Sequence, residues 1–153
     1  MKVSPLEFVK SLRNKSVLFV GLGSELAGDD AAGKYFMEKL SELGEKNWEF
    51  IWTGMSPENY LKKMLTHPAS ILIFVDAFSF FGRDGEIRVF TREEISRDGF
   101  THSYPIFLDL AAMEGKEIYI LGIQPYRIAP IDEISEPVRR KIEEFVESLK
   151  RDA

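Results

Sequence analysis

The sequence predicts an α/β fold of three layers, α/β/α, around a mostly parallel, five-stranded twisted sheet with one antiparallel edge strand. Three observations lead there. Residues 16–20 and 71–76 are nearly unbroken apolar, β-rich runs of strand length, the pattern of central strands covered on both faces. Segments of helical spacing separate the strands, as parallel strands joined by crossover helices require. Residues 86–90 instead alternate polar and apolar after an Asp84-Gly85 turn, as a half-exposed edge strand running back beside its predecessor would.

Ser4-Pro5-Leu6-Glu7 opens a short helix over about 4–13, with Ser4 as N-cap, Pro5 at the first helical position and Glu7 able to close a capping box. Strand 16–20 runs into Gly21, and the glycine-rich 21–28 segment is a loop. From Ala32 the spacing is helical: Ala32, Phe36, Leu40 and Leu43 share a stripe, and Gly44 stops it. Residues 48–52 form a strand. Ser56-Pro57-Glu58 caps a helix that turns Leu61, Met64 and Leu65 inward. After strands 71–76 and 86–90, residues 105–113 read as a helix and 117–121 as the last strand. Ser135 opens a terminal helix with Val138, Ile142, Phe145, Val146 and Leu149 on one face. No repeat or linker interrupts the 153 residues, so one domain over 1–153 is expected, with the 4–13 helix as an N-terminal addition.

Composition narrows the function. A net charge of −5 lacks the clustered basic residues that nucleic acid or anionic lipid would need. Zero cysteines exclude disulfide frameworks, thiol nucleophiles and thiolate metal sites, and fit a reducing compartment. Two histidines, His67 and His102, are too few for a three-histidine zinc centre. Pro5 and Glu7 stand where a signal peptide would need an apolar run. A soluble, cytoplasmic, monomeric protein without membrane insertion is expected.

Folds of this class bind ligands outside the carboxyl ends of their strands, which directs attention to three loops. Gly21-Leu22-Gly23 starts like a dinucleotide fingerprint, but Leu26 occupies the third glycine position and no acid ends the next strand. The Gly23 to Gly28 spacing mimics a phosphate loop, yet Asp29 and Asp30 stand where its lysine and hydroxyl residue belong. Two carboxylates repel a phosphate, so the loop suits a cation or a positively polarised group; helix capping is the plainer use of the same pair. Asp76 follows five apolar strand residues and needs a partner at the strand mouth, or else is a hydrogen-bonded loop acid. His102 lies in a loop entering a helix, where a lone histidine is more often a surface residue than a ligand. His67, before Pro68 at a helix exit, reads as structural. No Gly-x-Ser-x-Gly elbow is present, since Glu58 follows Gly54-Met55-Ser56-Pro57. Two carboxylates and one imidazole on strand-end loops remain, a set suited to a divalent transition ion with open coordination positions.

Three motifs then resemble those of hydrogenase maturation endopeptidases over most of the chain. Gly21-Leu22-Gly23-Ser24 with Asp29-Asp30 and Gly33 resembles that family's opening Gly-x-Gly-Asn, acidic pair and glycine. Val75-Asp76-Ala77 resembles its second acidic motif, and Thr101-His102 its histidine motif. Ser56-Pro57-Glu58-Asn59 and Gly122-Ile123-Gln124-Pro125 look more like the branch serving hydrogenase 3 of formate hydrogenlyase than the uptake-hydrogenase branch. Ser24 and Ala31 depart from the family's asparagine and glycine.

The resemblance implies an endopeptidase that removes the C-terminal extension of the [NiFe]-hydrogenase large-subunit precursor once nickel is inserted. Its metal ligands and catalytic residues fall on Asp30, Asp76 and His102. The nickel is borne by the substrate, and another divalent transition ion can stand in for it in vitro. Gln124 is a candidate for holding the substrate backbone, and Asp29 for supporting the ligands or acting as base. The rivals are a non-catalytic, metal-dependent recognition module for the same precursor and a Rossmann-like nucleotide-binding enzyme.

Overall fold

The computed structural model describes residues 3–98, 114–128 and 133–151, with 96–98 as backbone. In chain order its elements are α1 (Pro5–Ser11), β1 (Val17–Gly21), a 3-10 turn (Gly28–Ala31), α2 (Ala32–Ser41), β2 (Trp48–Trp52), a second 3-10 turn (Pro57–Tyr60), α3 (Leu61–Thr66), β3 (Ile71–Ala77), β4 (Ile87–Thr91), α4 (Arg92–Asp98), β5 (Glu117–Ile123) and α5 (Glu136–Arg151). The sheet runs β2-β1-β3-β5-β4, parallel except where β4 meets β5. This is the expected fold class. The 105–113 helix lies outside the described residues.

Strand alternation sorts the apolar residues into two cores. Val17, Phe19, Ile71, Ile73, Val75, Leu121 and Ile123 face α1, α2 and α5. Leu18, Val20, Leu72, Phe74, Ile118 and Ile120 face Met64 of α3 and Ile95 of α4. The stripe of α5 is the one its spacing predicts: Val138, Ile142, Val146 and Leu149 are buried, and Phe145 meets the Phe36 ring edge-on at 5.4 Å. In α1, the Glu7 amide donates to Ser4 Oγ at 3.3 Å, while the Glu7 carboxylate pairs with Lys10. The helix packs on β4 and α5, and its end is tied down where the Trp48 indole donates to the Leu12 carbonyl at 3.0 Å. Among the described residues no helix is long and apolar enough to cross a membrane.

Three expectations need correction. The antiparallel strand β4 lies beside β5, not beside its predecessor β3. The inner place goes to the strand that can bury both faces: Ile118, Ile120, Leu121 and Ile123 of β5 are buried, whereas Ile87, Arg88 and Thr91 of β4 stay partly exposed. The helix after Ser56 begins as a 3-10 turn with no side-chain cap, and of its expected inward residues only Met64 is fully buried. Helix α4 was not foreseen, yet its signal is present: the Thr91 amide donates to Glu94 Oε1 at 2.9 Å and the Glu94 amide to Thr91 Oγ1 at 3.2 Å, a reciprocal capping box.

The Tyr35 hydroxyl donates to the Glu143 carboxylate and joins α2 to α5. Burial, followed by that hydrogen bond and the charge of Glu143, pushes the Tyr35 hydroxyl up to about 12. Because the folded value exceeds that of an unfolded tyrosine, about 10, stability linked to Tyr35 is present below pH 10 and is lost as pH rises through the folded value. In alkaline absorbance titration, the wild-type minus Tyr35→Phe difference should therefore have its midpoint near pH 12; a midpoint near 10 would show the contact absent in solution.

Candidate active site

Chain geometry at the end of β1 is set by close backbone approaches. The Leu22 amide donates to the Val75 carbonyl at 3.0 Å, carrying the β1–β3 pairing one residue past the sheet. Gly23 then turns at φ +140°, where a Cβ would stand 1.9 Å from the Asp30 carbonyl oxygen, so only glycine fits. The loop closes as the Ser24 amide donates to Asp30 Oδ2 at 2.7 Å. Asp30 is half-buried, and this desolvation raises its carboxyl above the ordinary range while the Ser24 hydrogen bond acts in the opposite direction. The two departures from the family motif are thereby explained. The contact to Asp30 uses the Ser24 backbone rather than its side chain, and Ala31 sits at φ −87°, ψ 0°, a negative-φ conformation that does not require glycine.

Asp29 and Asp30 are adjacent but serve opposite ends. Asp29 is fully buried, and four donors surround its carboxylate. Oδ1 accepts from the Ser135 amide at 2.6 Å; Oδ2 accepts from the amides of Tyr126 at 2.9 Å and Arg127 at 2.6 Å and from the Ser135 hydroxyl at 2.8 Å. Its own amide donates to the Arg127 carbonyl at 2.8 Å. The group expected to support the ligands or act as base forms a clamp joining the β1 loop to the β5 loop and to the start of α5. Both oxygens are engaged.

Asp76 ends the apolar run of β3 opposite Gly122 of β5 and, by alternation, continues the Leu72–Phe74 row. It is partly exposed. The turn that carries Asp30 packs on the same strand end: a Cβ on Gly33 would lie 2.9 Å from the Val75 carbonyl oxygen. Asp30 and Asp76, distant in sequence, thus occupy one rim at the carboxyl ends of neighbouring parallel strands. His102, the third expected ligand, lies outside the described residues. Among the described residues no three acidic or histidine side chains form a group able to hold a metal.

Gln124 is buried at the mouth of β5. Its Oε1 accepts from the amides of Phe80 at 2.9 Å and Gly82 at 3.0 Å, and its Nε2 donates to Ser79 Oγ at 3.3 Å. The residue expected to hold a substrate backbone holds the chain's own β3–β4 loop. His67 is structural, as expected. Its Nδ1 accepts from the Ala69 amide at 3.0 Å, which leaves the hydrogen on Nε2 to donate to Glu49 at 2.9 Å.

Removing the Asp29 carboxylate leaves three amides and one hydroxyl without their acceptor, each worth about 1–3 kcal/mol when buried. Asp29→Ala should lower unfolding stability by about 3 kcal/mol or more in urea titration, whereas Asp30→Ala, which frees a single amide, should cost about 1 kcal/mol. Equal losses would remove the distinction between the two acids.

Comparison with known proteins identifies the family. The hydrogenase maturation protease family matches residues 34–151. The Hydrogenase 3 maturation protease of Escherichia coli K12 is 28% identical over 133 residues, covering 84% of this chain and 85% of that protein. A Methanocaldococcus jannaschii protein assigned as a hydrogenase maturation protease is 30% identical over 147 residues, with 88% and 86% covered. The crystal structure of the [NiFe] hydrogenase maturation protease HycI from Thermococcus kodakarensis KOD1 superposes with a TM-score of 0.79 at 25% identity, covering 94% of this chain and 97% of that one. With the fold, the strand-end loops and the family match in agreement, the chain belongs to the hydrogenase maturation proteases, a family of peptidases.

Proposed function

We propose that the chain is a nickel-dependent endopeptidase that removes the C-terminal extension of a [NiFe]-hydrogenase large-subunit precursor after nickel has been inserted. Family membership supports the class of reaction. What supports the residue assignment is that the turn bearing Asp30 packs against the end of the strand bearing Asp76, through the Leu22–Val75 backbone bond and the Gly33 contact. With His102 they make an oxygen and nitrogen donor set matched to a borderline divalent ion.

In this reading nickel is part of the substrate, so its docking tells the enzyme that insertion is complete. Three protein ligands leave coordination positions for the precursor's own groups, which brings the scissile bond to the strand mouth. The bound ion can polarise the scissile carbonyl or a water, and a carboxylate at the same rim can take the proton that attack releases. The buried amides and hydroxyl around Asp29 hold the loop in place beside the rim.

The test is mass spectrometry of nickel-loaded and apo precursor incubated with the protein. Only the loaded form should be shortened; a precursor bound but left intact would favour a recognition module. Asp30→Asn, Asp76→Asn and His102→Ala should each lower processing by about 10²–10⁴-fold, with unfolding stability within about 1 kcal/mol of wild type. Full processing by any one would remove that residue from the site. Nickel needs the deprotonated carboxylate, and burial raises the Asp30 carboxyl. Precursor affinity should therefore fall on acidification from a pH above the ordinary aspartate range of about 4. An acid limb at or below that range would separate Asp30 from metal binding.

A further inference from the structure

The large apolar side chains exposed among the described residues are Leu26, Met55, Phe81, Tyr126 and Ile128. All five sit in loops that leave the carboxyl ends of strands, after β1, β2, β3 and β5. Those loops are bonded to one another in series. The Gly23 amide donates to the Gly54 carbonyl at 3.0 Å, which ties the Leu26 loop to the Met55 loop. Asp29 ties the Leu26 loop to residues 126–127, and Gln124 ties the β5 loop to the Phe81 loop. The apolar residues therefore stand on one connected rim, the rim that also bears Asp30 and Asp76.

Phe81 is singular within this set. It is 92% exposed and holds φ +62°, a conformation costly for a bulky residue and natural for glycine. The flanking amides of Phe80 and Gly82 both donate to the buried Gln124 Oε1, so the loop is clamped on either side of Phe81 with that ring turned outward. The ring neighbours Phe78 and Phe80 point the other way, into the second core.

We infer that this apolar rim is the docking surface for the protein substrate, with Phe81 as the anchor that enters an apolar recess on the folded precursor beside its scissile tail. The inference rests on the peptidase reading and gives it a second point of recognition. Metal ligands alone read the nickel, while a rim of large side chains around them reads the protein that carries it. An aromatic anchor with further apolar side chains on the adjoining loops is the pattern of an interface whose affinity is concentrated in a few residues. Continuity with Asp30 and Asp76 selects the reaction's own substrate as the occupant over an unrelated partner.

The experiment compares wild type with Phe81→Gly, Phe81→Tyr and the double variant Leu26→Ser/Met55→Ser. Binding of the purified nickel-loaded large-subunit precursor is measured by calorimetry and its shortening by mass spectrometry. Glycine suits the backbone at 81, so Phe81→Gly should melt no lower than wild type, and its loss of binding is then not a loss of fold. The expected result is a Kd and KM raised roughly 10–100-fold in Phe81→Gly with kcat nearly unchanged, near-wild-type binding in Phe81→Tyr, and an intermediate loss in the double variant. Unchanged Kd and KM in Phe81→Gly would overturn the docking surface while leaving the peptidase reading intact. Precursor binding by wild type without shortening would overturn the peptidase reading, and Kd alone would then judge the rim. A wild-type dimer in light scattering that Phe81→Gly dissociates would make a second copy the occupant and also overturn the inference.

Discussion

The site depends on one buried carboxylate. Asp29 lies at the start of the chain's first crossover, and its acceptors reach residues about a hundred positions later, at 126, 127 and 135. A charge removed from water is tolerated only with good hydrogen-bonding partners, and here three amides and a hydroxyl supply them. The result is a hydrogen-bonded staple between the first loop and the last. Once Asp29 is held inward, the next residue along a 3-10 turn projects elsewhere. Asp30 is thereby left half-exposed at the rim. The clamp and the candidate ligand are therefore one device made of two consecutive aspartates.

Sheet order does the remaining positioning. Placing β5 between β3 and β4 puts Gly122 opposite Asp76 and Gln124 against the β3–β4 loop. A Cβ at Gly122 would lie 2.9 Å from the Phe78 ring, so the bare backbone there is what lets the aromatic cluster of Phe78, Phe80 and Phe90 close over the strand end. Parallel strands β1, β3 and β5 all end on the same side, and that shared direction brings their loops together without long connections. Neither acid was placed by a local motif alone. Each was delivered by a strand.

What was legible in the sequence follows from which interactions are local. The buried strands announce themselves because both faces must be apolar, and α5 because its stripe repeats every three to four residues. The Thr91–Glu94 capping box is equally local. Strand neighbours were not legible: nothing within residues 86–90 states that a strand some thirty residues later will intervene. Asp29 and Asp30 look interchangeable to any local rule, since both are acids in the first turn before a helix. Only partners far along the chain separate them. Gln124 was recognised as an unusual polar residue at a strand end, but whether its amide faces a substrate or its own loop is a tertiary fact. The exposed apolar residues carried no signal at all, because a loop phenylalanine reads the same whether it is buried or displayed.

Phe81 shows how such a display is maintained. A non-glycine residue in the left-handed region costs about 1–3 kcal/mol, and within the turn itself only the long Phe81 amide to Ser79 Oγ contact, at 3.4 Å, opposes that. The two hydrogen bonds accepted by Gln124 contribute about 0.5–1.5 kcal/mol each, comparable to the strain, and Phe80 adds its burial in the second core together with the Arg88 guanidinium over its ring at 4.6 Å. Strain and support are thus matched within a few residues. Glycine at 81 would remove the strain at no loss of packing, since the ring touches little of its own protein at 92% exposure. A fold selected for stability alone has no use for phenylalanine there. The rule is broken in a loop that leaves the carboxyl end of the strand bearing Asp76, and local and global demands part in this way when a residue serves something outside the fold.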